Sequence, residues 1–530
     1  MVRAKGRPLG NLLWEWAEEY GRKVAVRDGA RVLSYHELAY RADALGYVMA
    51  TRGLGPGARV LFQLPNGWEL VVALLACQRI GVAPILTLTA HRAHDLARIA
   101  EIVDISAIFT VDSYKGHDHQ ADAVGIAQRA GRACPVFVAG ASLRASSIDL
   151  WRACDYSAAD IEPIRRALDR RAPAIDDDAV VLLSGGTTGR PKLVPHTHRD
   201  YAFAFTACAA ASGVDDSTIF LAVLPVSHNF SLASPGILGV LDAGGTVVLG
   251  RSPSPDPAFE AIGRHAVTMS AIVPAVARRW LEYAESSTSA VRRSLSTLRV
   301  LQIGGAVTPP DLAARVEAEL DVTVQQVYGM SEGLVCMTAL DDPAEIKHHT
   351  QGTPVGAGDE VRIAGDGAIG EVLTRGPSTV RGYLLGPARV GGPAFTGDGW
   401  YRTGDLARKR SDGRIEIAGR IKDLVNRGGE KISVVEVETL LLGLTGVTNA
   451  AAVSLPHPEL GECVGAALVC AADTTVDLVD VRKYFAEHGI AAHKAPDAVF
   501  VVDGIPTTGM GKVDRTALRE KLAAISGSAR

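Results

Sequence analysis

Between residues 59 and 303 the sequence alternates apolar runs of strand length with segments of helical period, and this alternation restricts the fold more than any other feature. A strand-like run at 59–64 precedes a helical pattern at 68–80, and 34–52 reads as a helix before them. The rhythm returns at 218–224 (strand), 257–265 (helix), 269–273 (strand) and 298–303 (strand). Strand and helix in turn imply parallel sheets covered by helices, because parallel strands need a long crossover connection. A large open α/β lobe is expected.

From about residue 360 the texture changes to short β-rich pieces, including EVRIAGDGAIGEVLTRG and the hairpin DGRIEIAGR, whose Asp412-Gly413 is a strong turn signal. This predicts a small β subdomain. After Gly419-Arg420 comes a last segment with helices at 434–442 and 479–488 and strands near 450–454 and 465–470, apolar enough for its own core. At 530 residues the chain exceeds the usual size of one core. The division expected is an N-terminal domain over 1–419 and a C-terminal domain over 420–530.

Hydrophobic residues make up 47% and charged residues 22%, so the chain should fold, and a formal charge of -4 offers no broad basic footprint. Neither nucleic acid nor a membrane is expected as a partner. The longest apolar runs, such as 179–183 and 219–226, are too short to span a bilayer, and the first residues lack the apolar run of a secretion signal. The seven cysteines are scattered without Cys-x-x-Cys spacing, as free thiols of a cytoplasmic protein would be.

The sharpest local signal is Leu183-Ser184-Gly185-Gly186-Thr187-Thr188-Gly189-Arg190-Pro191-Lys192, which follows the apolar run 179–183. Glycines let backbone N–H groups turn toward an anion, and hydroxyls with a lysine add donors, so the stretch suits phosphate. It lacks the Walker A spacing. Alone, such a stretch is equally compatible with a mobile turn.

Four further motifs follow in fixed order: Tyr328-Gly329-Met330-Ser331-Glu332, Tyr401-Arg402-Thr403-Gly404-Asp405, Gly419-Arg420-Ile421-Lys422-Asp423 and Gly509-Met510-Gly511-Lys512. With the glycine-rich stretch they resemble the superfamily of acyl-CoA synthetases, peptide-synthetase adenylation domains and luciferases, from about Leu33 to Leu518. The resemblance implies an α/β fold with a large multi-subdomain N-terminal lobe, two α/β sheets plus a small β subdomain, and a small mobile α+β C-terminal domain. It also implies ATP and Mg²⁺ as cofactors and a first half-reaction that joins a carboxylate to AMP.

Carried over residue by residue, the resemblance makes Lys512 the catalytic lysine that bridges carboxylate and α-phosphate. It makes Glu332 the Mg²⁺ ligand, Asp405 the acceptor of both ribose hydroxyls, Arg420 an arginine on the same sugar and Tyr328 the aromatic on adenine. Ser184, Gly185, Gly186, Thr187, Thr188, Gly189 and Lys192 would hold phosphates, and Gly304, Gly305 and Ala306 would line both nucleotide and acyl pocket. Lys422 falls at the hinge about which the C-terminal domain swings. Gly429 and Glu430 fall in the loop bordering the pantetheine tunnel.

The stretch from Leu224 to Gly236 should lie in the acyl pocket. Amino-acid-activating relatives carry an aspartate where Asn229 stands; the neutral amide here offers a donor and an acceptor, and Phe230 can flank a flat ring. With His228, Val327 and Val335, the stretch resembles the stand-alone aryl acid ligases of siderophore assembly. In that subfamily a serine at position 234 goes with 2,3-dihydroxybenzoate, whereas salicylate enzymes tend to carry cysteine. Ser231, where relatives commonly have proline, and Cys336, where asparagine is frequent, depart from the pattern. They leave salicylate, anthranilate and 3-hydroxypicolinate open. The expected partners are the aryl carboxylic acid and a phosphopantetheinylated aryl carrier protein acting in trans, with free coenzyme A as the alternative acceptor.

Overall fold

The computed structural model describes residues 7–130, 133–184, 191–287, 289–365, 367–427, 430–472, 474–509 and 511–528. Two large sheets share one apolar core. The first has nine strands in the order Thr353–Pro354, Val335–Met337, Thr323–Gly329, Val300–Gly304, Met269–Ile272, Ile219–Ala222, Thr246–Leu249, Val24–Asp28, Arg31–Ser34. Its six inner strands run parallel, and antiparallel strands close both edges.

The second sheet has seven strands in the order Lys192–Thr197, Asp178–Ser184, Ala83–Leu86, Arg59–Phe62, Ala107–Val111, Val136–Ala139, Ser147–Asp149, all parallel except the first pair. Strands such as Ala107–Val111 are buried along their whole length, which is why they read as unbroken apolar runs rather than alternation. Residues from both sheets, Phe62 and Phe109 from one and Phe220 and Val247 from the other, meet in a single cluster with the helices between them.

Local chemistry sets the helix starts. Ser34 caps the helix Tyr35–Ala50 reciprocally with Glu37, and Thr197 caps His198–Ala211 with Asp200. The helix expected at 257–265 begins earlier, at Pro255, because a proline at the first turn forfeits no needed hydrogen bond.

Residues 360–420 form a four-stranded antiparallel sheet, and Gly413 turns the Asp412-Gly413 hairpin with φ +87°. Beyond it, Leu424–Arg427, Glu430–Ser433, Val447–His457, Gly461–Cys470 and Ala498–Val501 make a separate five-stranded sheet, packed by the helices Val434–Leu442 and Leu478–Glu487 around its own core. None of the seven cysteines forms a disulfide, and five of them are buried. No described helix is long and apolar enough to cross a membrane.

Candidate active site

Parallel sheets bind ligands beyond the carboxyl ends of their strands, and the candidate residues gather there. Gly304 ends the strand Val300–Gly304, Tyr328 and Gly329 end Thr323–Gly329, and the segment from Val223 to Ser234 follows Ile219–Ala222. Asn66 locks that segment: its amide donates to the carbonyls of Ala222, Leu224 and Gly250 and accepts from the Val226 N–H at 2.8 Å.

Gly304 and Gly305 are glycine for steric reasons. A Cβ on Gly304 would stand 2.6 Å from the Val327 carbonyl oxygen and 3.2 Å from Phe230 Cζ. One on Gly305, at φ +82°, would stand 3.2 Å from Lys512 Cε. The Lys512 side chain therefore lies along bare backbone at the strand end, beside the exposed Ala306.

Positive charge converges on this point. Burial, then the neighbouring Arg420, pushes the Lys512 ammonium down to about 8, with Asp405 opposing and Lys422 adding to the fall. Lys422 is lowered in turn by burial, Arg420 and Lys192. Asp405, buried on the strand Tyr401–Lys409, answers this charge: Oδ1 is 2.7 Å from Arg420 Nε, and Oδ2 accepts from the Tyr328 hydroxyl at 2.8 Å. Burial and the adjacent Asp405 hold the Tyr328 phenol well above its ordinary range. Such a cleft, with more cations than carboxylates, is built for a polyanion.

Glu332 is 4% exposed and sits in a nest of phenols. Tyr383 donates to its Oε1 at 3.0 Å, Tyr401 also bonds to it, and the two phenol oxygens are 3.1 Å apart. Lys192, at the start of Lys192–Thr197, places Nζ 4.9 Å from the Tyr383 ring centroid. Behind them His196 bonds the Ser331 carbonyl through Nε2 and Asp200 through Nδ1, both at 2.7 Å. Burial would lower His196, but Asp200 and the Ser331 carbonyl carry it upward. Among the described residues no three His, Cys, Asp or Glu side chains converge on a metal position. One carboxylate beside a polyanion cleft fits Mg²⁺, which takes its other ligands from phosphate and water.

Ser184 ends Asp178–Ser184 and pairs with Lys192 across the hairpin. Gly185, Gly186, Thr187, Thr188 and Gly189 lie outside the described residues, as does Gly429; Glu430 opens Glu430–Ser433 opposite Arg427.

The segment from Asn229 to Ser234 itself carries no charged side chain. The Tyr201 hydroxyl donates to Asn229 Oδ1 at 2.9 Å, which leaves the amide N–H₂ to meet a ligand. Phe230 packs with Cys208, Val327, Val335 and Met337. Ser234 is buried with its hydroxyl against the Cys208 thiol. His228 Nε2 is buried without a hydrogen-bond partner among the described residues, and burial, then Lys512 and His91, push the imidazole down to about 3.

The structure thus brings together Lys512, Asp405, Arg420, Tyr328, Lys192, Glu332 and Lys422 on one side of Gly304 and Gly305, and Asn229, Phe230, Val327 and Val335 on the other. Sequence reasoning missed Tyr383, Tyr401, His196, Asp200, Tyr201 and Asn66. Tyr401 stood inside a quoted motif, and His196 with Asp200 has the spacing of one helical turn; the other three carry no local signal.

Comparisons with known proteins identify the family. The family described as AMP-binding enzyme matches residues 13–384, and its C-terminal domain matches 436–512. A Streptomyces salicylyl-CoA synthase / salicylate adenylyltransferase is 44% identical, covering 97% of this chain and 94% of that protein. The 2,3-dihydroxybenzoate-AMP ligase of Bacillus subtilis is 40% identical, covering 98% and 94%. Among solved structures, MatB from Rhodopseudomonas palustris with ATP bound superposes with TM-score 0.85 at 25% identity, covering 98% of this chain and 99% of that one; apo MatB gives 0.74, covering 97% and 99%. The chain belongs to the AMP-binding family of adenylate-forming enzymes, among the aryl acid AMP ligases.

Proposed function

We propose that this protein condenses an ortho-hydroxylated aryl acid with ATP, giving aryl-AMP and pyrophosphate, and then passes the acyl group to the phosphopantetheine thiol of an aryl carrier protein. The observation that carries the reading is the placement of Lys512 at Gly305, where the cationic cleft meets the apolar cluster that Phe230 joins with Cys208, Val327 and Val335. A carboxylate has no leaving group, so its oxygen must attack the α-phosphate of ATP, and pyrophosphate departs as the mixed anhydride forms. The transition state spreads negative charge over phosphate oxygens, which positioned cations stabilise.

In this reading Lys512 reaches both the acid and the α-phosphate, Lys192 and the stretch from Ser184 to Gly189 hold phosphates, and Asp405 with Arg420 receives the ribose while Tyr328 flanks adenine. Mg²⁺ held by Glu332 would neutralise phosphate charge. Residues 1–419 act as the adenylation domain and 420–530 as a mobile domain turning at Lys422. The higher TM-score against ATP-bound than apo MatB supports an arrangement like that of the nucleotide-loaded relative. Lys422→Pro should spare aryl-AMP formation and depress thioester formation at least about tenfold, as hinge residues must absorb a φ/ψ change. Equal damage to both half-reactions in rapid-quench assays would count against the hinge.

Asn229 selects the acid. Its carbonyl already accepts from Tyr201, which turns the N–H₂ toward the ligand as donor, and a phenolic or carboxylate oxygen accepts better than the amine of anthranilate. The buried Ser234 hydroxyl favours 2,3-dihydroxybenzoate, with salicylate next. Pyrophosphate exchange should run with both at rates about tenfold above anthranilate, with no signal from leucine or palmitate. Signal from leucine alone would overturn the pocket reading. Free coenzyme A is the second acceptor to consider, because the 44% identical Streptomyces relative is named a salicylyl-CoA synthase; transfer assays with carrier protein and coenzyme A decide.

Acidity of Lys512 makes the first step pH-dependent. The ammonium is the active form and its value lies near 8 before substrates bind. The cation is therefore complete below about pH 7 and drains away as pH rises through 8. kcat/KM for adenylation should fall on that alkaline limb, while transfer from supplied aryl-AMP should not follow it.

A further inference from the structure

We infer that Gln63, together with His119, is a positioning residue that presents the turn 88–91 as the dock for the hairpin carrying Lys512. The inference rests on the adenylating role read for Lys512 above.

Gln63 is buried and follows the strand Arg59–Phe62, with its backbone N–H bonded to the Phe109 carbonyl at 2.8 Å. Its side-chain N–H₂ donates to the carbonyls of Leu88 at 2.9 Å and His91 at 3.0 Å, so one amide ties both ends of a four-residue turn. Two more bonds close the turn: the His91 N–H to the Leu88 carbonyl at 3.0 Å, and the Leu88 N–H to His91 Nδ1 at 3.2 Å. Gln63 Oε1 lies 3.1 Å from His119 Nδ1. For that oxygen to accept, His119 must carry its proton on Nδ1, which fixes the orientation of the amide and leaves His119 Nε2 buried without a partner among the described residues.

The other side of the contact is the lysine hairpin. It is closed by Thr508 N–H to the Lys512 carbonyl at 2.7 Å and Gly511 N–H to the Thr508 carbonyl at 2.8 Å. A Cβ on Gly509 would stand 3.5 Å from Ala90 Cβ and 3.6 Å from Leu88 Cδ1, which is van der Waals contact with the turn. His91, on the same turn, faces His228, which also feels Lys512. A turn in regular structure would need no such support. This one lies between the strand Ala83–Leu86 and the helix Ala93–Ile102, and a buried crosslink removes the ordering cost that docking would otherwise meet.

The contact can be read without any acid substrate. Disulfides need a Cβ separation of about 3.5–4.5 Å, and the pair Ala90→Cys/Gly509→Cys supplies 3.5 Å. Oxidation of that variant should crosslink the two peptides rapidly, as mass spectrometry reports, and adding Gln63→Leu should slow the crosslink about tenfold. In the otherwise native chain, Gln63→Leu should lower kcat for aryl-AMP formation about tenfold, leave KM for the acid unchanged and spare transfer from supplied aryl-AMP. Should Gln63→Leu fail to fold, Ala90→Phe, on an exposed position, wedges a ring under Gly509 and should give the same split between half-reactions. No crosslink, a crosslink rate indifferent to Gln63, or equal loss in both half-reactions overturns the assignment. Because crosslinking proceeds without acid, a wrong substrate class is told apart from a wrong dock.

Discussion

Replacing Lys512 with alanine lowers the rate of aryl-AMP formation by about 10²–10³-fold, the loss seen when one preorganised donor to a developing oxyanion is removed. Three features of the site argue for an effect of this size. The ammonium is desolvated, so its field is little screened. Its shank is threaded along the Gly305 backbone, where a Cβ would stand 3.2 Å from Cε, so water replacing it could not hold a fixed charge there. Arg420 is committed to Asp405 at 2.7 Å and is not free to take its place. Lys512→Arg should rescue poorly, because a planar guanidinium is bulkier than the channel along Gly305 admits. Single-turnover pyrophosphate release measures the loss. Transfer from supplied aryl-AMP should change little, and a wild-type rate of release from Lys512→Ala would remove the mechanism.

What the sequence shows and what it hides follow from the range of the interactions involved. Parallel strands such as Ala107–Val111 are legible as apolar runs because both faces are buried, and the Asp412-Gly413 hairpin because its turn demands φ above zero at Gly413. Motif residues such as Asp405 and Lys512 are legible through resemblance, since each sits in a short string of the family's motifs. Long-range partners are not. Tyr383 reaches Glu332 across 51 positions, Tyr201 reaches Asn229 across 28, and Asn66 ties carbonyls more than 150 positions away. No local pattern encodes those pairings, yet they fix the direction in which each motif residue acts. Asn229 is the clearest case: the sequence allows donor and acceptor in either orientation, and Tyr201 fixes which way the amide points.

Asp405→Asn tests whether the charges of the cleft act as one set. The amide keeps the shape and its one oxygen can still accept from Tyr328, so what disappears is the acceptor that faces Arg420 and the negative charge opposite Arg420, Lys422 and Lys512. Two consequences are tied together. Asp405 is buried but Arg420 is half-exposed, so losing the pair costs about 2 kcal/mol, the low end for buried pairs, and kcat/KM for ATP should fall by about 30-fold, with the larger share in KM because ribose loses its acceptor. Asp405 also props up the Lys512 ammonium, so without it that group titrates below its value of about 8 and the alkaline limb of adenylation moves toward neutral pH. A mere loss of fold would abolish activity without moving the limb, and a ribose contact acting alone would raise KM with the limb in place. The two effects together require that the carboxylate holding the nucleotide also sets the charge of the lysine that completes the reaction, which would couple nucleotide recognition to catalysis through one side chain.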